Sequence, residues 1–345
     1  MESGSRTAWV DAAKGISILL VVAMYAAYST GEVTHGIGFL HYLVGFATPF
    51  RMPEFFLISG LFLSKVIDRP WARYADRRVV HYFYFYLLWA FVLVGLKHVS
   101  AGEPAGEIAR QLALALVYPF GALWFIYVLG LFGIAVKLCR QAHIPHWAAL
   151  GTGALLQMAD PVSSIYVANQ CAIYFVYFYA GYAFASFVFD LAHRARENAG
   201  KATLGLLAWS LVNGALVFSD GYQVLPDRTQ MGYAAFPPLR LALALSGSLC
   251  LCVLAAMIAE RRGFGWLQTI GRHSLVIYVS FFIPMWALRT LALKSGVLTD
   301  TGLLSAVLLA FSTATPLALH ALVNRTGFGR FLFERPNWAH IGPKR

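Results

Sequence analysis

Phe39-Leu40-His41-Tyr42-Leu43-Val44-Gly45-Phe46-Ala47-Thr48-Pro49-Phe50-Arg51-Met52-Pro53-Glu54-Phe55-Phe56-Leu57-Ile58-Ser59-Gly60 is an apolar run interrupted at its middle by two prolines, an arginine and a glutamate. A hydrocarbon core about 30 Å thick is crossed by ~20 residues of helix, and this run is long enough. Runs of the same kind recur along nearly the whole chain. Its 345 residues are 59% hydrophobic and only 12% charged, far from the ~25% charged residues of soluble domains. The sequence therefore predicts an all-α, polytopic integral membrane protein, because only helices and closed barrels satisfy every backbone group in lipid.

Reading apolar runs against charged gaps gives ten expected spans, near 15–30, 38–64, 79–97, 111–136, 146–159, 165–189, 202–219, 237–259, 270–293 and 302–323. The fifth is short. An even count puts both termini on one side, and twenty of the 27 lysines and arginines fall on that side. Cytoplasmic loops carry such an excess, so the expectation is a plasma (inner) membrane protein with cytoplasmic N- and C-termini. A transmembrane domain is expected over 6–325 and a cytoplasmic tail over 326–345. The first span leads straight from Asp11 and Lys14 and is read as a retained helix, not a cleaved signal.

The same partition accounts for the net charge of +11. Cations set against an anionic leaflet need no nucleic-acid partner, and membrane lipids are the expected surroundings. Cys139, Cys171, Cys250 and Cys252 lie mostly inside apolar runs, with no Cys-x-x-Cys or Cys/His ligand spacing. They read as small buried hydrophobes, with no metal expected.

Ionisable side chains at depth are rare and tend to be functional. Pro49 and Pro53 each remove a backbone donor and disfavour helix just before them, so the second span is expected to break at its middle and restart at Pro53. A restarted helix presents a positive end that favours an anion, with Glu54 in its first turn and Arg51 three residues earlier. The two either serve a substrate or neutralise each other and fix the kink. His320, Asn213 and Gln170 are read as helix–helix hydrogen bonds, and the aromatic run His81 through Trp89 as packing or interface belt. The loop from Lys65 to Arg78 has five cations against Asp68 and Asp76. Arg73 and Arg77 share a helical face at i, i+4, suited to diphosphate oxygens; a purely topogenic loop is the plainer alternative.

Several segments together resemble the acyltransferase 3 family. They are Trp9-Val10-Asp11-Ala12-Ala13-Lys14-Gly15-Ile16 running into Leu20-Val21-Val22; Phe50-Arg51-Met52-Pro53 with Phe55-Phe56 and Ile58-Ser59-Gly60; Leu123-Trp124-Phe125; and Ile270-Gly271-Arg272-His273-Ser274-Leu275-Val276-Ile277-Tyr278. Their order matches, and the family's fold also has ten spans. The resemblance implies transfer of an acyl group, acetyl or succinyl in type, from cytoplasmic acyl-CoA to a hydroxyl of a glycan, lipid or small molecule. The donor is a co-substrate, and no bound cofactor is expected.

The resemblance also implies roles. Lys14 matches the family's basic residue at the start of the first span. The general-base His eleven positions later is here Tyr25, which with an ordinary pKa near 10 donates a hydrogen bond but takes no proton at neutral pH. Glu54 is then the expected base, with Tyr25, Arg51 and Lys14 around the reacting groups. Arg73, Arg77, Arg78 and Trp124 are the expected substrate-binding residues. The loop lacks the Arg-x-x-Arg spacing of some members, with His81 where a Pro often follows, and Ser280-Phe281 stand where a His often follows Ile277-Tyr278. The missing His motivates a second reading, a catalytically impaired member that binds or regulates. A broken helix with charges at depth also describes a transporter.

Overall fold

The computed structural model describes residues 2–161, 163–296 and 298–341, with the side chains of residues 2–7 outside that description. Arg6, Lys344 and Arg345, three of the cations used for topology, lie outside it. The helices are α1 (Glu2–Thr34), α2 (Phe39–Ala47), α3 (Arg51–Leu61), α4 (Trp71–Ala75), α5 (His81–Ser100), α6 (Ala105–Ala115), α7 (Trp124–Gln141) and α8 (His146–Ala159). They continue with α9 (Tyr166–Ala183), α10 (Ala185–Glu197), α11 (Ala199–Val217), α12 (Pro237–Ile258), α13 (Gly265–Arg272), α14 (Ser274–Ser280), α15 (Phe282–Ser295) and α16 (Thr301–Thr326). One antiparallel hairpin, β1 (Gln223–Leu225) with β2 (Arg228–Gln230), joins α11 to α12. The protein is an all-α polytopic membrane protein.

Each of the ten expected runs is helical. Among the described residues six helices are long and apolar enough to cross a membrane, and two interrupted pairs raise that to eight. The interrupted pairs are α9 with α10 and α14 with α15, the latter bent by 50°. That bend has a cause: Pro284 lacks the N–H that would bond the Ser280 carbonyl one turn earlier. The remaining two expected spans fail by length. The 14 residues of α8 rise about 21 Å, and α2 with α3 form a broken pair.

One boundary is corrected. The fourth span runs from Gly121 to Gln141, not from 111, and α6 is a separate helix. Pro119 and Gly121, which takes a positive φ of 51°, break the chain, although apolar residues continue across the break and hydropathy merges the two.

The chain forms two compact units: residues 1–58 with 184–318, and residues 59–183 with 319–345. In the first, α1 is the central helix and packs on α2, α12, α13 and α14. Two glycines let it approach α13. A Cβ on Gly15 would run into the Leu267 carbonyl oxygen, and one on Gly271 into that of Asp11. The N-terminal and Ile270–Tyr278 signatures are thus two sides of one backbone contact. In the second unit α7 packs on α5 and α9, and α8 on α9.

Four carbonyls next to Pro49 in the α2–α3 break have partners. Pro49 has no N–H, so the Gly45 carbonyl takes the Thr48 N–H instead, at 3.2 Å. The Thr48 hydroxyl donates to the Val44 carbonyl at 2.8 Å. Phe50 N–H bonds Ala47 at 3.2 Å, which leaves the Phe46 carbonyl to the Asn213 amide of α11 at 2.9 Å. Buried backbone groups are nearly always paired, and Asn213 is the interhelical hydrogen bond expected of it. The restart comes at Arg51, two residues before Pro53. Glu54 N–H is taken by the Phe50 carbonyl at 2.9 Å and Pro53 has none, so two of the four first-turn positions of the anion-binding helix end expected there offer no free N–H.

Candidate functional site

Glu54 is completely buried in the first unit. Its Oε2 meets the Ser17 hydroxyl of α1, and Ser17 also donates to the Ala13 carbonyl at 2.9 Å. One hydroxyl proton serves one acceptor at a time. With that proton on Glu54 the carboxylate is the acceptor; with it on Ala13 the carboxyl must be the donor to Ser17. The contact holds in both protonation states, as an acid–base group requires. Glu54 Oε1 is buried without a hydrogen-bond partner. Lys14, three residues before Ser17, acts electrostatically on Glu54 and on Asp11, and Asp11 also feels Arg272 of α13. Arg51, one turn before Glu54, is buried as well.

Tyr25 lies apart from this group. Tyr25 is expected around the reacting groups with Glu54; Glu54 instead meets α1 at Ser17, and at 1.5 Å per residue Tyr25 is about 12 Å further along that helix. Its ring packs on Phe281 and Phe282, with centroids 5.3 and 5.1 Å away, at the α14–α15 bend. Beyond it, Tyr28 shares a 2.6 Å hydrogen bond with Thr229 of β2, and Arg289 Nη1 donates to the Ser29 carbonyl at 3.0 Å.

The basic loop belongs to the second unit and is helical from Trp71 onward. A π-helical turn over Asp76–Val80 follows α4 directly, so the α-helical i, i+4 face expected for Arg73 and Arg77 crosses a change of pitch. Both arginines are exposed and Arg78 is half-buried. Arg78 Nη2 reaches the Phe62 carbonyl at 3.5 Å. The backbone beneath is held by α7: Lys137 Nζ donates to the carbonyls of Ile67 and of Arg69, the latter at 2.9 Å, and Tyr74 OH to Gly133 at 2.6 Å.

Trp124 opens α7, and its ring stacks on Tyr174 at 5.4 Å. The Arg78 backbone passes beside Gly133, nine residues on, so Trp124 lies about 14 Å along the helix from that point. The expected substrate-binding set therefore divides into the three arginines and a separate tryptophan.

Two residues of these sites escaped the sequence reading. Ser17 is an ordinary serine in an apolar run, its one signal being its place one turn from Lys14. Arg335 lies 259 residues from Asp76, with nothing local to connect them.

The site is a fully buried carboxylate, Glu54, on the Ser17 hydroxyl of α1, with Lys14 acting on it electrostatically. The acyltransferase domain of the acyltransferase 3 family matches residues 7–321, and the chain belongs to that family. It is similar to the inner membrane protein YcfT of Escherichia coli (strain K12), with 25% identity over 169 residues, covering 41% of this chain and 46% of that protein. The match thus spans about half the length of that relative. No solved structure matches the chain.

Proposed function

We propose that this membrane acyltransferase moves an acetyl- or succinyl-type acyl group from cytoplasmic acyl-CoA to a hydroxyl of a cell-envelope glycan, a lipid or a small molecule. The observation that carries the reading is Glu54 Oε1, a buried carboxylate oxygen without a partner, in a chain of the acyltransferase 3 family. Active sites are where unsaturated buried ionisable groups concentrate.

In the proposed step Glu54 takes the acceptor hydroxyl proton, the acceptor oxygen bonds the thioester carbonyl carbon, and the carbon–sulfur bond breaks to release CoA thiolate. Lys14 and Arg51 supply positive charge to the oxyanion. Arg73, Arg77 and Arg78 hold the donor's phosphates through charge-assisted hydrogen bonds. The chain sits in the inner membrane with both termini cytoplasmic; a reporter fused after Arg345 tests this, and periplasmic activity of that reporter overturns it.

The deciding assay is purified protein in detergent with radiolabelled acetyl-CoA or succinyl-CoA, followed for CoA release with and without candidate glycans. Acceptor-dependent release is expected. A second reading, an impaired member that binds without turnover, is favoured by Tyr25, which replaces the family His and is packed on two phenylalanine rings. Donor binding without release under any acceptor would establish it.

A further inference from the structure

Both carboxylates of the basic loop are taken by cations from outside it. Asp68 Oδ1 accepts from Arg140 Nε of α7 at 3.0 Å, an exposed pair of little energetic weight. Asp76 is different. Arg335, from the segment after α16, donates Nη2 to Asp76 Oδ2 at 2.6 Å and Nη1 to the Asp76 carbonyl at 2.5 Å. Ile341 N–H donates to Oδ1 at 2.8 Å, and His340 Nδ1 lies 3.2 Å from Oδ2. The two side chains are 4% and 9% exposed.

We propose that Arg335 is a positioning residue for acyl-CoA: by binding Asp76 it leaves Arg73, Arg77 and Arg78 uncompensated for the donor's phosphates. The inference rests on reading this loop as the phosphate site. Arg73 precedes Asp76 by three residues, a spacing at which helical side chains meet, so a carboxylate released from Arg335 can pair with Arg73 and lowers the local positive potential of Arg77 and Arg78. Either effect would take charge away from the ligand. The segment that carries Arg335 does not depend on this contact for its place: Tyr84 OH donates to the Phe331 carbonyl at 2.9 Å and Trp89 Nε1 to that of Leu332 at 3.0 Å.

The test is coenzyme A binding to the full chain in nanodiscs by titration calorimetry. Charge fixes the expected order. Arg335→Ala adds one net negative charge beside the arginines and weakens binding about tenfold; Asp76→Asn tightens it about twofold; the double variant returns to within about twofold of wild type. A merely structural contact would make all three weaker than wild type. That result, or unchanged affinity in Arg335→Ala, overturns the proposal. If Arg335→Ala does not fold, Arg335→Lys, which keeps the charge but not the fork to carboxylate and carbonyl, is compared with and without Asp76→Asn: weaker binding rescued by Asn supports the proposal, and no rescue overturns it. The triple Arg73/Arg77/Arg78→Ala variant judges the underlying reading separately. If it binds like wild type, the reading and the inference both fall; if it loses affinity while Arg335→Ala keeps it, only the inference falls.

Discussion

Glu54 and Asp76 are both buried carboxylates, one in each unit, and their surroundings differ in kind. Asp76 has both oxygens occupied, by Arg335, by a backbone N–H and by a nearby imidazole. Glu54 has one oxygen on a serine hydroxyl and the other without a partner. A saturated buried charge fixes structure, since removing its partner leaves an uncompensated ion. An unsaturated one is costly to keep, and its unpaired oxygen is the one proposed to take a proton from a substrate. The contrast separates the centre proposed for chemistry from the clasp proposed to prepare the donor's site.

The sharpest way to break this contrast is Glu54→Gln, which preserves shape and removes the base. Turnover should fall by about 10²-fold or more, and a variant with near-wild-type kcat would take the base role from Glu54. In the second unit, replacing Arg73, Arg77 and Arg78 together with alanine should weaken acyl-CoA binding about tenfold or more. That deficit should be larger at low salt than at high salt, because exposed charges are screened; a deficit independent of salt would point to a folding defect instead.

Ser17→Ala should lower kcat about tenfold by leaving Glu54 without its hydroxyl partner, while Ser17→Thr, which keeps the hydroxyl, recovers most of it. A pH–rate profile tests the role directly: the acidic limb should move in Ser17→Ala and stay in Ser17→Thr. Tyr25→Phe should cost less, about threefold, because the ring packing on Phe281 and Phe282 survives and one hydroxyl is lost. A larger loss at Tyr25 than at Glu54 would reverse the assignment. Asn213→Ala should leave turnover nearly unchanged and lower stability by about 1–2 kcal/mol, measured by unfolding in mixed detergent, because it strands the Phe46 carbonyl.

The amino-acid sequence determined what depends on local pattern. Run length placed helix in each of the ten expected regions, and α8 has the same ends as the short fifth run, because membrane solvation acts on each segment separately. The prolines of the second span marked its break for the same local reason. Where apolar character continued through a turn, as from α6 past Pro119 into α7, hydropathy had no edge to detect. The tertiary structure alone decided which groups meet. It set Glu54 beside Ser17 and about 12 Å along α1 from Tyr25, because no local pattern dictates which turn of α1 meets α3. It also brought Arg335 to Asp76 across 259 residues, through a chain path that no periodicity encodes.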